Sequence, residues 1–180
     1  MESISGKIII DDKIILGNLF FNNKVSYAGD LPDAIDPLAI VQITQFIVPN
    51  NVFSQETLTY AEDQITSLMS NQGFSSAEVI ASTEEAEKEN FVDITIFIDP
   101  GQRTYVRKIN FSGNKRTHDV VLRREMRQME GSWASDILIE NSKRRLDRLG
   151  YFKEVEYETS PVPGESDKID VNFTVEEEFS

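Results

Sequence analysis

Between residues 105 and 177 the spacing of apolar side chains changes from two to about 3.6 and back again, and that order of periods admits few folds. Tyr105, Ile109 and Phe111 fall on one face of an opening strand, as a half-buried strand requires. Ser112-Gly113-Asn114 is a turn. Thr117 then stands as N-cap of a helix running to about Met129, with Asp119 in its first turn and Val121, Leu122, Glu125, Met126 and Met129 on one side. Gly131 ends it. A second helix begins at Ser132 or Ser135 and reaches Leu149 before Gly150, with Leu138, Ser142, Leu146 and Leu149 as its stripe. Two strands close the stretch, 152–158 and 169–175, separated by Pro161-Val162-Pro163-Gly164. Strand, helix, helix, strand, strand predicts an α+β unit, a three-stranded mixed sheet with two helices over one face.

Residues 18–103 repeat this order. Leu19-Phe20-Phe21 and Lys24-Val25-Ser26-Tyr27 make a strand that ends at Ala28-Gly29-Asp30. Asp36-Pro37 opens a helix over 38–48 that is apolar nearly all round, so it is expected to be well buried. Ser54 caps the next helix, with Leu58, Ala61, Ile65 and Leu68 on one stripe, and Gly73 ends it. A short strand at 77–81, an acidic loop at 82–90 and a closing strand at 91–99 follow, with Val92, Ile94, Ile96 and Ile98 inward. Gly73 lies 77 residues before Gly150, and Asp93 lies 77 before Asp170. Gly29 lies 84 before Gly113, so the first copy carries seven extra residues ahead of Gly73. Two tandem modules are expected, 18–103 and 104–180, joined at Pro100-Gly101-Gln102. Residues 1–17 fit a small hairpin, the remnant of a preceding module, or sequence added for expression; the residues do not choose.

The chain has no cysteine, which removes disulfides, thiolate metal sites and a cysteine nucleophile together. Its net charge of −13 argues against nucleic acid as a partner, since phosphates are bound by Lys and Arg. Residues 1–103 hold 5 basic and 16 acidic side chains, a net of −11, and residues 104–180 hold 13 and 15, a net of −2. The cations cluster on the second module's helices at Arg123, Arg124, Arg127, Lys143, Arg144, Arg145 and Arg148. They read either as solvated faces paired with Glu125, Glu130, Glu140 and Asp147, or as a face that meets a partner or anionic headgroups. No run approaches the ~18 apolar residues of a membrane helix, and Met1-Glu2-Ser3 does not open a signal peptide. His118, the one histidine, reads as a surface helix residue. Glu84-Glu85-Ala86-Glu87-Lys88-Glu89 lacks the alternating ligands and glycine of a calcium loop and reads as a solvated tip. Asn110-Phe111-Ser112 and Asn172-Phe173-Thr174 match the glycosylation acceptor but sit in predicted strands. No catalytic, cofactor or metal residue is expected, and a small hydrolase or metal-binding α+β domain lacks its parts.

Gly113-Asn114 closing the first strand and Leu149-Gly150-Tyr151-Phe152 joining the second helix to the second strand resemble the POTRA domain, the polypeptide-transport-associated module. Tyr105-Val106-Arg107-Lys108-Ile109, the run 122–131 and the run 145–152 are similar to the last, membrane-proximal POTRA domain of the BamA family, the bacterial outer-membrane β-barrel assembly factors. The resemblance is specific over the last 75 residues or so and looser from 18 to 103. It implies a non-enzymatic periplasmic scaffold in a Gram-negative bacterium, a piece of a longer protein that continues after Ser180 into an outer-membrane barrel. Its implied partners are unfolded outer-membrane proteins, the lipoprotein BamD with other assembly lipoproteins, and periplasmic chaperones. A two-partner secretion transporter, which also carries paired POTRA domains, is the alternative within the fold.

Two sites are expected. The resemblance makes the second strand of each sheet an edge to which incoming chains add, at Ala77, Val79 and Ala81 in the first module and Lys153, Val155 and Tyr157 in the second. Glu154, Glu156 and Glu158 alternate along the latter as edge-protecting charges would. Arg123, Arg127, Gln128, Glu130 and Gly131 suit a polar rim beside Trp133, although the residues alone favour a core place for Trp133. By resemblance, Arg123, Arg127 and Glu130 hold the lipoprotein.

Overall fold

The computed structural model describes residues 5–10 and 13–178. Expectations about Met1 and about a continuation past Ser180 lie outside the described residues. Two strands, β1 (Ser5–Ile10) and β2 (Lys13–Asn18), pair antiparallel with Ile8 opposite Ile15. Beyond them, contacts group the chain into two units. One takes residues up to Thr66 with Glu78–Asp99, the other Ser67–Ala77 with residues from Pro100 on.

The first sheet contains β3 (Phe21–Gly29), β4 (Glu78–Glu85) and β5 (Phe91–Asp99) in the order β3-β5-β4, with β5 parallel to β3 and antiparallel to β4. Val92, Ile94, Ile96 and Ile98 are buried under the helices α1 (Pro37–Thr44) and α2 (Gln55–Asn71), as alternation requires. The second sheet repeats this with β6 (Tyr105–Ser112), β7 (Phe152–Val162) and β8 (Glu165–Glu177) in the order β6-β8-β7, with helices α3 (Asp119–Glu125) and α4 (Asp136–Asp147). Its core joins Val106, Ile109, Leu122, Ile139, Leu146 and Phe173. Both modules are therefore mixed three-stranded sheets in β-α-α-β-β order.

Gly29 and Gly113 mark the same turn in the two copies. Both have positive φ, 96° and 87°. A Cβ on either would stand 2.1 or 1.9 Å from the carbonyl oxygen of Ile98 or Val175, the central strand of its own sheet. Only glycine fits there.

Several local expectations change. The helix opened by Asp36, whose carboxylate accepts from Leu38 N–H at 2.9 Å, lasts only to Thr44. It is not buried all round: Ile40, Thr44 and the following Ile47 pack inward while Leu38 and Val41 are exposed, because a helix lying on a sheet hides one stripe only. The buried stripe of α2 is Leu58, Ala61, Ile65 and Met69, with Leu68 beside it. Strand β4 starts after Ala77 and runs through Glu85, so the first four residues of the expected acidic loop, 82–85, are paired with Thr95, Ile94, Asp93 and Val92. On β6 a bulge between Val106 and Lys108 turns Val106 inward with Ile109, leaving Tyr105 half-buried. In α4, Ile139 takes the core place expected of Leu138.

The first helix of the second module departs furthest. Its N-cap is His118 rather than Thr117, and it stops at Glu125 because Met126 is extended. Met129 is exposed, and its expected core place is taken by Gln128.

Candidate partner-binding site

The segment after α3 is held from inside by one amide. Gln128 is fully buried (0% exposed). Its Nε2 donates to the carbonyl oxygens of Trp133 (3.0 Å) and Met129 (3.2 Å) and to Ser132 Oγ (2.8 Å), while its Oε1 accepts from Ser135 N–H (3.0 Å). Ser142 Oγ accepts the N–H groups of Arg127 and Gln128. Every residue of the expected polar rim except Gln128 is thereby presented outward. The sequence offered one sign of this, a Gln between Met126 and Met129 where an amphipathic helix should continue.

Trp133 is not core. It is 41% exposed, lies under the Arg103 guanidinium at 4.5 Å, and its backbone bridges to Tyr105.

Glu130 and Arg123 pair at 3.1 Å. Glu130 Oε1 accepts the N–H of Ile109 (2.8 Å), and Arg123 donates to the Ile109 carbonyl (3.0 Å) while covering the ring of Phe111 at 5.3 Å. The Ile109 N–H, followed by Arg123, holds the Glu130 carboxyl below its usual pKa. Arg127 differs: its guanidinium is exposed and enters no ion pair among the described residues. Two of the remaining helix cations are paired, Arg144 with Glu140 and Arg145 with Glu125.

The two edges of the second sheet are unlike. Along β6, Gly131 N–H donates to Val106 O, Val106 N–H donates to Ser132 O, and both backbone groups of Ile109 are taken by Glu130 and Arg123. That edge is closed over its first half. Strand β7 is the other edge and has no strand beyond it among the described residues. Lys153 pairs with Glu176 at 3.1 Å, Val155 is buried in the core, and the half-buried Tyr157 packs on Phe173. Burial, with Glu140 and Asp136 nearby, raises the pKa of the Tyr157 hydroxyl. In the first sheet β4 is likewise an edge. Ala77 lies in the turn before it, and Ala81 N–H is already bonded to the Glu62 carboxylate of α2 at 2.5 Å. Glu62 was not legible from sequence. Among the described residues no cluster of His, Asp or Glu is placed to hold a metal, and no helix is long and apolar enough to cross a membrane.

The POTRA family model, surface antigen variable number repeat, matches residues 3–101 and again residues 104–178. The chain belongs to the POTRA family. The BamA assembly factor of Neisseria meningitidis serogroup B (strain MC58) is 31% identical over 161 residues, which is 89% of this chain and 20% of the relative. The chain thus spans about a fifth of the length of that curated relative. Among solved structures, POTRA domains 3–5 of Haemophilus influenzae BamA superpose with a TM-score of 0.71 at 28% identity, covering 98% of this chain and 72% of that one. BamA from Haemophilus ducreyi lacking POTRA domains 1–3 gives 0.76 at 31% identity, covering 88% of this chain and 30% of that one. The two POTRA modules are thus of the BamA kind in both sequence and fold.

Proposed function

We propose that the chain is the periplasmic scaffold portion of a Gram-negative outer-membrane β-barrel assembly machinery. It receives unfolded outer-membrane proteins by strand addition and docks a BamD-like lipoprotein at the end of α3, without catalysing a reaction. The asymmetry of the second sheet carries this reading, with β6 closed by Glu130, Arg123 and residues 131–133 and β7 left open. Backbone pairing along an open edge tolerates many client sequences. Glu154, Glu156 and Glu158 on β7 are exposed and discourage two copies from pairing with each other. Strand β4 is the weaker acceptor, because Glu62 already occupies Ala81 N–H. At the end of α3, the exposed guanidinium of Arg127, which enters no ion pair among the described residues, and the Arg123–Glu130 pair suit discrete charged contacts, which fix orientation more than they add affinity.

The test is a pull-down of purified BamD at moderate salt with the wild-type chain and with Arg127→Glu, Glu130→Gln and Glu130→Lys. The exposed Arg127 side chain enters no ion pair or hydrogen bond among the described residues, so Arg127→Glu has no internal contact to lose, and loss of binding there would put the lipoprotein on this surface. Glu130→Gln keeps an acceptor for Ile109 N–H and removes only the charge, whereas Glu130→Lys also opens the β6 edge. Equal retention by all three variants would move the interface elsewhere. Failure of the folded wild-type chain to bind would remove the lipoprotein from the reading.

A further inference from the structure

The two POTRA modules differ on the face of the sheet that the helices do not cover. In the second module the row across the three strands is Ser112, Thr174 and Glu156. In the first module the same row, 77 residues earlier on the central strand, is Ala28, Phe97 and Ile80. Phe97 is 48% exposed and Ile80 58% exposed. Nothing in the fold demands apolar side chains there, since the second module forms the same sheet with polar ones. Adjacent exposed aromatic and β-branched side chains on an otherwise polar face mark an interaction surface.

Its surroundings select the occupant. One step along the strands, about 7 Å away, Glu78 stands opposite Asp99; beyond Ser82, Thr95 and Ser26 on the other side, Glu84 stands opposite Asp93. Lys24, paired with Asp93 at 3.5 Å, is the one cation of this end that forms an ion pair among the described residues. Residues 1–103 as a whole carry a net charge of −11. An apolar row framed by carboxylates favours apolar side chains carried between Lys or Arg, and it repels an anionic membrane surface. A helix is the usual cover for a sheet face, and residues four or five apart on a helix span the same ~7 Å as the step from Phe97 to Asp99.

We propose that this open face of the first module docks a cationic amphipathic helix of another protein, its apolar stripe over Phe97 and Ile80 and its basic residues toward Glu78 and Glu84. The surface is the face of the sheet, distinct from the β4 edge, so it stands whether or not strands add there.

The experiment uses the whole chain and a synthetic helical peptide of Leu and Lys at amphipathic spacing, with a Leu and Glu peptide and phosphatidylglycerol vesicles as comparisons. Amide shifts on binding the Leu/Lys peptide should centre on Ala28, Ile80 and Phe97, and Phe97→Thr should weaken binding by about tenfold or more. Threonine is what the second module carries at the matching place, so this variant should keep its unfolding midpoint; Ile80→Glu serves as an independent second variant. Absence of binding by the Leu/Lys peptide, wild-type affinity in Phe97→Thr and Ile80→Glu, or shifts confined to the β4 edge or to the separate groove lined by Tyr27, Leu31, Pro37, Val41 and Ile98 would each overturn the proposal. So would preference for the Leu/Glu peptide or for the vesicles, or self-association of the chain through this face.

Discussion

Glu130 and Arg123 hold the same residue from both sides, the carboxylate at Ile109 N–H and the guanidinium at Ile109 C=O. A pair that resembles an interface rim in sequence therefore also seals a sheet edge. Replacing Glu130 by Ala should lower the stability of the second module by about 1 kcal/mol, a figure kept small because the pair is half exposed. Glu130→Lys should cost about 2 kcal/mol, since it sets a cation against Arg123. Glu130→Gln should lose least. Urea unfolding and the exchange rate of the Ile109 amide read both effects, and a Gln variant as unstable as the Ala variant would show that the hydrogen bond to Ile109 does not matter.

Gln128 offers the sharper stability test. Gln128→Leu keeps the volume but strands the Ser135 N–H and leaves the Trp133 carbonyl only a long contact with Ser132 Oγ (3.5 Å), while the Met129 carbonyl keeps Ser132 Oγ at 2.7 Å; each unmet buried group costs about 1–3 kcal/mol. A net loss of about 3 kcal/mol is expected, with Trp133 fluorescence changing before global unfolding. Gln128→Glu should be worse, because its carboxylate would face the carbonyls of Met129 and Trp133. A neutral effect of both substitutions on the urea midpoint would count against the internal-clamp account.

The limits of sequence reading trace to that same segment. Strand alternation on β5 and β8, the Asp36 cap and the matched glycines were legible because each depends on near neighbours or on a fixed period. The end of α3 was not, because apolar spacing extends the helix to Met129, whereas a buried amide and Ser142 on another helix draw the backbone out of it at Met126. The bulge on β6 was hidden likewise, since it inverts a face without changing composition. Of the candidate site residues, Arg123 and Glu130 pair with each other, and Arg127 is exposed. Gln128 proved internal, and Ala77 lies outside its strand. Glu62 at the β4 edge could not be read from sequence, because a helix carboxylate reaching a strand amide leaves no local pattern.

Acid should act on the second module through Glu177. Its carboxylate accepts from Thr117 N–H (2.7 Å) and Arg116 N–H (3.0 and 3.1 Å), tying down the loop after β6. The Thr117 bond, then the Arg116 bonds, lower its pKa from the ordinary 4.5. Because the folded value lies below the unfolded one, the stabilisation is complete above about 4.5 and fades as pH falls through the lower folded value. Glu177→Gln should therefore be less stable at neutral pH and show a flatter acid limb in a plot of melting temperature against pH. Parallel limbs for the two proteins would assign the acid sensitivity to other carboxylates, Glu130 first.

Gly113 and Gly131 separate backbone strain from steric exclusion. Both have positive φ, 87° and 79°, so an alanine at either pays the left-handed penalty of about 1–2 kcal/mol. At Gly131 no atom lies within 4 Å of the added Cβ, so that penalty is the whole effect. At Gly113 the Cβ would meet the Val175 carbonyl oxygen at 1.9 Å. The chain end of β6 would have to move off the central strand, breaking the pairing of Ser112 with Thr174. A loss of more than about 3 kcal/mol is expected for Gly113→Ala against about 1 kcal/mol for Gly131→Ala. Denaturant midpoints decide it: near-equal losses would mean that the turn relaxes freely away from Val175, and the same test at Gly29 against Ile98 should then fail in the first module too.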